Sequence, residues 1–295
     1  MPTAEAPAVR RPAGPRAVAR RFRGSAAAMV GSGLTALVVV TAVGAHRIAS
    51  GNPFATSPTE RLQPPSARHL LGTDQLGRDL FTNVVQGAHT SMRIVAGVVA
   101  IASVVGVLLG CLSGFRGGIL DDLVMRVVET VQSVPRFFVA VLVIGWFGAG
   151  AVTVTVLLGL TSWPVMARVV RAETLSLRER DFIGAARSTG ASDTRIVLRH
   201  IVPNVVPSAL VMAAVTGSRV VLLEAGLAYL GLGDPNVASW GALINNAQPY
   251  LDRAWWLSVF PGTAMAAAVL GMNLLSDGLT DVFGASRRLG PTSDR

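Results

Sequence analysis

Few residues in this chain have chemistry to offer, and what is missing is informative. All 26 basic residues counted as Lys plus Arg are Arg, since no lysine occurs. A P-loop needs a lysine on the β- and γ-phosphates and a Schiff-base enzyme needs an amine, so the chain can supply neither. His46, His69, His89 and His200 stand far apart, with no HExxH pair for zinc and no G-x-S-x-G elbow for a nucleophilic serine. The single cysteine, Cys111, lies in an apolar run and reads as a small packed residue, which excludes an intramolecular disulfide. No catalytic set and no metal set emerges. What remains is charge in unusual places. Glu129, Arg136, Arg219 and Glu224 interrupt long apolar stretches, where an ionisable group is costly and faces either the protein interior or an aqueous path. An arginine nearer the headgroups would snorkel instead, and the sequence leaves both readings open.

The elements that must position these residues are membrane spans. The 295-residue chain is 51% hydrophobic and 15% charged, with a mean hydropathy of +0.51, above the range of ordinary soluble domains. Its net charge of +9 does not make it a nucleic-acid binder, because the arginines lie between apolar runs instead of on one basic face. A span needs about 20 apolar residues to cross about 30 Å of hydrocarbon. The runs predict helices at 26–45, 94–112, 123–147, 151–167, 201–223 and 254–276. The third and fourth share one uncharged stretch from Phe137 to Ala167, divided by Gly145, Gly148 and Gly150. The first is read as a retained anchor, with no small-residue cleavage site after it. Gly106, Gly110 and Gly114, four residues apart, would let another helix approach the second span closely.

Six spans put both termini on one side. Arginine is concentrated on that side, with six in the first 25 residues, one at Arg116, seven from Arg168 to Arg199 and three at the C-terminus. The other side carries Arg47, Arg61, Arg68, Arg78 and Arg253. The bias predicts that both termini and the loop 168–204 are cytoplasmic. It also predicts a disordered Arg- and Pro-rich tail at 1–25, lying near anionic lipid, and a second cytoplasmic tail at 284–295.

Three loop segments carry most of the information. The first, DFIGAARSTGASDTRIVLRHIVP, runs from Asp181 to Pro203. Its pattern predicts a short amphipathic helix ended by a left-handed Gly190, then a second helix capped by Ser192. On physical grounds it is a docking element or an interfacial loop. The second, from His69, contains LGTDQLGRD, with turn-permissive Gly72 and Gly77 around Thr73, and with Asp74, Arg78 and Asp79 close enough to pair locally. It lacks a calcium-loop pattern. The third, LAYLGLGDPNVASWG from Leu227 to Gly241, predicts a re-entrant or surface turn anchored by Trp240.

These strings resemble a known family. LGTDQLGRD is similar to the motif before the second helix of dipeptide, oligopeptide and nickel permeases of ABC importers. LGLG with Pro235 and Trp240–Gly241, and Asn273, Leu274, Leu275, Asp277, Gly278 and Asp281, fit the same family. The cytoplasmic segment resembles its EAA loop through Ala185, Ala186, Gly190, Val202 and Pro203, and departs from it at Gly184, where the family carries Glu. The match spans roughly residues 69–283.

The resemblance implies the shorter, C-type permease of that family: an all-α integral membrane protein with the type I ABC importer fold, multi-pass in a prokaryotic inner membrane. Together with the apolar runs it gives an expected anchor helix at 26–45, an extracytoplasmic segment at 46–92 and a permease core at 93–283 that includes the cytoplasmic coupling loop 168–204. It further implies a non-catalytic subunit that binds no cofactor, while partner ATPase subunits use ATP and Mg. The implied partners are a second permease subunit, making a heterodimeric pore, two ATPase subunits and an extracytoplasmic binding protein. The ATPase would dock on Asp181, Ile183, Gly184, Ala185, Ala186, Gly190, Ala191, Val202 and Pro203. Di- or oligopeptides are the implied cargo, with nickel or another small solute as the alternative. An ion-coupled secondary transporter, suggested by the four charges at membrane depth, is the rival from another class, although no internal repeat supports it.

Overall fold

The computed structural model describes residues 15–284, which are helical with no strand among them; the sole β-type pairing is a bridge between Thr73 and Asp79. The helices are α1 (Pro15–Gly24), α2 (Ala26–Val43), α3 (Ala45–Ile48), α4 (Leu80–Arg116), α5 (Gly118–Ser133), α6 (Arg136–Phe147), α7 (Ala151–Arg178), α8 (Asp181–Ser188), α9 (Asp193–Ile196), α10 (Val202–Tyr229), α11 (Trp240–Ala247) and α12 (Trp256–Gly284). Five uninterrupted helical runs are long and apolar enough to cross a membrane: α2, α4, α7, the stretch Asp193–Tyr229, and α12. The sixth is a broken pair.

That break corrects the expected third span. In place of one helix over 123–147, α5 and α6 meet at a bend of 81°. Val134 is extended (φ −90°, ψ 127°) and Pro135 precedes the first residue of α6. Proline lacks an N–H, and its ring disfavours the helical region for the residue before it; at Val134 the chain takes the extended option and the helix breaks. Pro164, Pro207 and Pro261 are instead accommodated inside α7, α10 and α12. The N-terminal expectation is also corrected in part. Pro15–Gly24 is helical where a disordered tail was predicted, and 1–14 lie outside the described residues, as do 285–295 of the expected C-terminal tail.

The centre of the fold is the α4–α7 pair. Gly106 faces Met166 Cβ and the Trp163 carbonyl, Gly110 the Ala167 carbonyl and Val170 Cβ, and Gly114 the Arg171 carbonyl and Thr174 Cβ. Each lacks the Cβ that would hold the helices apart, which is the purpose of small residues at four-residue spacing in a membrane. The first span docks by the same device, with Gly31 on the backbone at Leu274–Leu275 and Gly278 on Ala28.

Residue 167 does not end the fourth span. α7 continues for eleven residues into the expected loop 168–204 and is fastened there. Arg171 clamps Asp121 of α5 through Nε and Nη2 at 2.5 and 2.6 Å. Arg178 Nη1 donates to the carbonyls of Gly114 and Phe115 at 3.4 and 3.3 Å, satisfying acceptors at the C-terminal end of α4.

Candidate functional site

The segment after α7 forms the predicted helix-turn-helix. α8 is stopped by Gly190 at φ +80°, a conformation that costs an L-residue roughly 1 kcal/mol, and the N–H of Ala191 returns to the Ala186 carbonyl at 3.1 Å. Ser192 Oγ then accepts the Arg195 N–H and caps α9. A π turn, Val197–Ile201, carries α9 directly into α10, with the Val202 N–H bonding to the Val197 carbonyl five residues back. Pro203 sits in the first turn of α10, where its missing N–H is tolerated. α9 and the fifth span are therefore one helical rod, and α8 joins it through the Gly190 turn.

Burial separates the face of α8 that roots it from the face it presents. Ile183 is fully buried in an apolar cluster with Phe115 of α4, Val170 and Leu177 of α7, and Ile196 and Ile201. Ala186 is half-buried against the same cluster, and the Arg187 guanidinium lies 5.4 Å from the centre of the Phe115 ring. Asp181, Phe182, Gly184, Ala185 and Gly190 are exposed, and open space surrounds Gly184 where a Cβ would stand. The outward surface is thus a small-residue patch beside one exposed aromatic ring.

The outer motif is architectural in detail. Thr73 is fully buried; its Oγ1 donates to the Glu60 carbonyl at 2.5 Å and accepts the Gln63 N–H at 2.8 Å, while its carbonyl accepts Trp256 Nε1 at 3.2 Å. Asp74 Oδ1 accepts the Leu76 and Arg78 N–H groups, both at 2.8 Å, around Gly77 at φ +73°. Gly72, at φ +81°, passes against the Gln63 carbonyl and the Trp256 indole. Arg78 forms no ion pair with Asp74 or Asp79, contrary to the expected local pairing, and lies over Phe54 at 5.3 Å. Asp79 caps α4 through the Thr82 N–H at 2.9 Å and meets His69 Nδ1 at 3.1 Å. Asp79→Ala is expected to cost about 1 kcal/mol of stability, the usual value of an N-cap, with Asp79→Asn keeping most of it. Thermal unfolding of the purified complex reads the difference, and equal loss in both variants would place the effect outside the cap.

The four charges at membrane depth are not equivalent. Glu224 is buried and accepts Ser91 Oγ at 3.0 Å, with Ser239 also at hand, so its carboxylate is turned into the protein between α4 and α10. It also lines a small cavity with Ala151, Leu227 and Ser239. Glu129 is exposed on α5 and Arg219 is exposed on α10. Arg136 is half-buried at the first residue of α6 and reaches Ser162 Oγ of α7 at 3.4 Å. Asp121, Arg171, Arg178, Phe115 and Arg187 carry no local signal, because their partners lie tens of residues away.

A helical bundle with five membrane-length apolar runs, a broken sixth and a rooted surface helix defines an integral membrane protein. Residues 106–289 match the family described as binding-protein-dependent transport system inner membrane component, and the chain belongs to that family. It is 39% identical over 266 residues to a putative peptide transport system permease protein of Brucella suis biovar 1, covering 90% of each chain. It is 34% identical to the oligopeptide transport system permease protein OppC of Bacillus subtilis, covering 89% of this chain and 87% of that one. To the probable D,D-dipeptide transport system permease protein DdpC of Escherichia coli it is 33% identical, with 89% and 88% covered. Its fold is similar to that of a chain of the MetNI methionine ABC transporter in an inward-facing conformation, at a TM-score of 0.55 and 20% identity, over 70% of this chain and 97% of that one. The type I importer permease fold expected from the sequence is the fold observed. The chain is a non-catalytic, multi-pass inner-membrane permease subunit that works with other transporter subunits.

Proposed function

We propose that this chain forms one half of the translocation pathway of an ATP-driven importer for di- or oligopeptides and that α8 is the surface through which a separate ATPase drives it. The second half is a similar permease subunit; two ATPase subunits supply ATP and Mg chemistry, and an extracytoplasmic binding protein delivers solute. The arginine bias supports a cytoplasmic location for both termini and for 168–204. The peptide permeases among its relatives support the cargo.

The observation that carries the reading is the two-faced α8. Its inner face is keyed to α4, α7 and α10 by Ile183 and Ala186, and its outer face is free. A push on such a helix cannot be absorbed locally. It moves α10 through the π turn and the α4–α7 pair through Phe115, tilting the spans between inward- and outward-facing arrangements. ATP binding closes the ATPase subunits against α8, and hydrolysis resets them.

The test is uptake of a labelled dipeptide or tetrapeptide by proteoliposomes holding the complete transporter. Uptake is expected to require ATP and the binding protein together. Uptake that survives ATP depletion but collapses with an ion gradient would overturn the reading in favour of a secondary transporter.

A further inference from the structure

Arg136 and Arg219 belong to no ion pair among the described residues, and each lies within electrostatic reach of the other. Their depth is set by the helices that carry them. Arg136 is eleven residues before the end of α6 at Phe147, and Arg219 is ten before the end of α10 at Tyr229. Ser162, the hydroxyl under Arg136, is eleven residues into α7 from Ala151. At 1.5 Å per residue all three stand about 15 to 17 Å from the same end of the bundle. That the ends coincide is shown by Ala151 and Leu227 lining one small cavity. That depth puts the three groups inside the bundle, below its outer end.

Two guanidiniums at that depth keep their charge, because arginine does not deprotonate in proteins. Among the described residues no acidic side chain forms an ion pair with either. Glu224, five residues after Arg219, is occupied by Ser91 and Ser239, and Glu129 forms no ion pair with either. Arg136 is steadied only by a neutral hydroxyl and Arg219 is exposed. A headgroup phosphate at the end of the bundle would be about 15 Å off. What fits is a mobile anion that reaches this depth, and a planar carboxylate matches the fork of a guanidinium.

Resting on the proposed permease role, we infer that Arg136, Arg219 and Ser162 form a transient binding site for a carboxylate of the solute in transit. For a peptide this is the one negative group present whatever the sequence, so the site serves solutes of unrelated side chains. With the guanidinium of Arg136 shared with a hydroxyl and no third cation at hand, the site holds an anion without trapping it.

Arg219→Cys and Arg136→Cys, each in the assembled transporter in inside-out membrane vesicles, test this with two membrane-impermeant methanethiosulfonates, one bearing a sulfonate and one a trimethylammonium group. Buried Cys111 in the unaltered chain gives the background. Relative to a free thiol, Arg219→Cys is expected to react about tenfold faster with the anionic reagent than with the cationic one, and adding Arg136→Gln is expected to remove the preference. Millimolar trialanine is expected to slow the anionic reagent, and trialanine amide is not. Absence of reaction with either reagent would overturn the site by making the arginines inaccessible, and equal rates would overturn it by showing the charge neutralised, for instance by an acid of the second permease. Equal slowing by peptide and amide would overturn the carboxylate. None of these failures touches ATP-dependent uptake, so the permease role and the anion site are judged separately.

Discussion

Ala185→Arg is expected to leave the subunit folded and inserted while lowering ATP-driven uptake at least about tenfold and releasing the ATPase on purification. Ala185 is exposed on the outer face of α8, so an added side chain costs the subunit itself little. Against a partner groove that accepts small residues, the same side chain is a bulky charge without a seat, and 1.4 kcal/mol of lost docking already amounts to tenfold. Neighbouring positions make poorer tests. Ala186 is half-buried against the Phe115 and Ile183 cluster, so a charge there damages the loop before it reaches any partner. At Gly190 the positive φ adds strain of its own. Gly184→Glu is the matching control. Open space surrounds that position, and glutamate favours helix over glycine by up to about 1 kcal/mol, so uptake is expected to persist. Full uptake with co-purifying ATPase in Ala185→Arg would end the docking assignment.

Gly110→Leu is expected to destabilise the subunit strongly. A Cβ there would stand 2.7 Å from the Ala167 carbonyl and 2.8 Å from Val170 Cβ, well inside van der Waals contact. Neither neighbour can rotate away, since one is backbone and the other is the root of a β-branched side chain. α4 and α7 must separate along the seam that organises the core, at a cost of about 3 kcal/mol or more. Thermal unfolding of the purified complex and the yield of inserted subunit both read this. Gly145→Leu, on α6 with open space around it, is expected to change neither. Comparable losses in the two variants would mean that glycine content, and not helix approach, is what matters.

Much of this protein was legible before any coordinates. The apolar runs fixed the spans near 26–45, 94–112, 201–223 and 254–276, because a run of about 20 apolar residues has one low-energy place to be. Gly190 and Ser192 act within three or four residues of themselves, so their turn and cap could be read locally, whereas Asp79, expected to pair with a neighbouring charge, caps α4 instead. The break at Pro135 is not marked by proline alone, since Pro164, Pro207 and Pro261 lie inside continuous helices; which proline interrupts its helix is decided by how the flanking segments pack.

By itself, then, the sequence determined the class of protein, the positions of most spans, the glycine seam and the absence of the lysine an ATP-binding P-loop requires. Each follows from composition or from residues within a turn of one another. Only the tertiary structure decided that Ala185 faces outward while Ala186 faces the core, that Arg171 grips Asp121 fifty residues away, and that Glu224 is enclosed. It alone set Arg136, Ser162 and Arg219 at one depth from three different helices. Such pairings depend on how the helices are rotated and shifted against each other, which is settled by close packing along the whole length of the bundle and leaves no local mark in the chain.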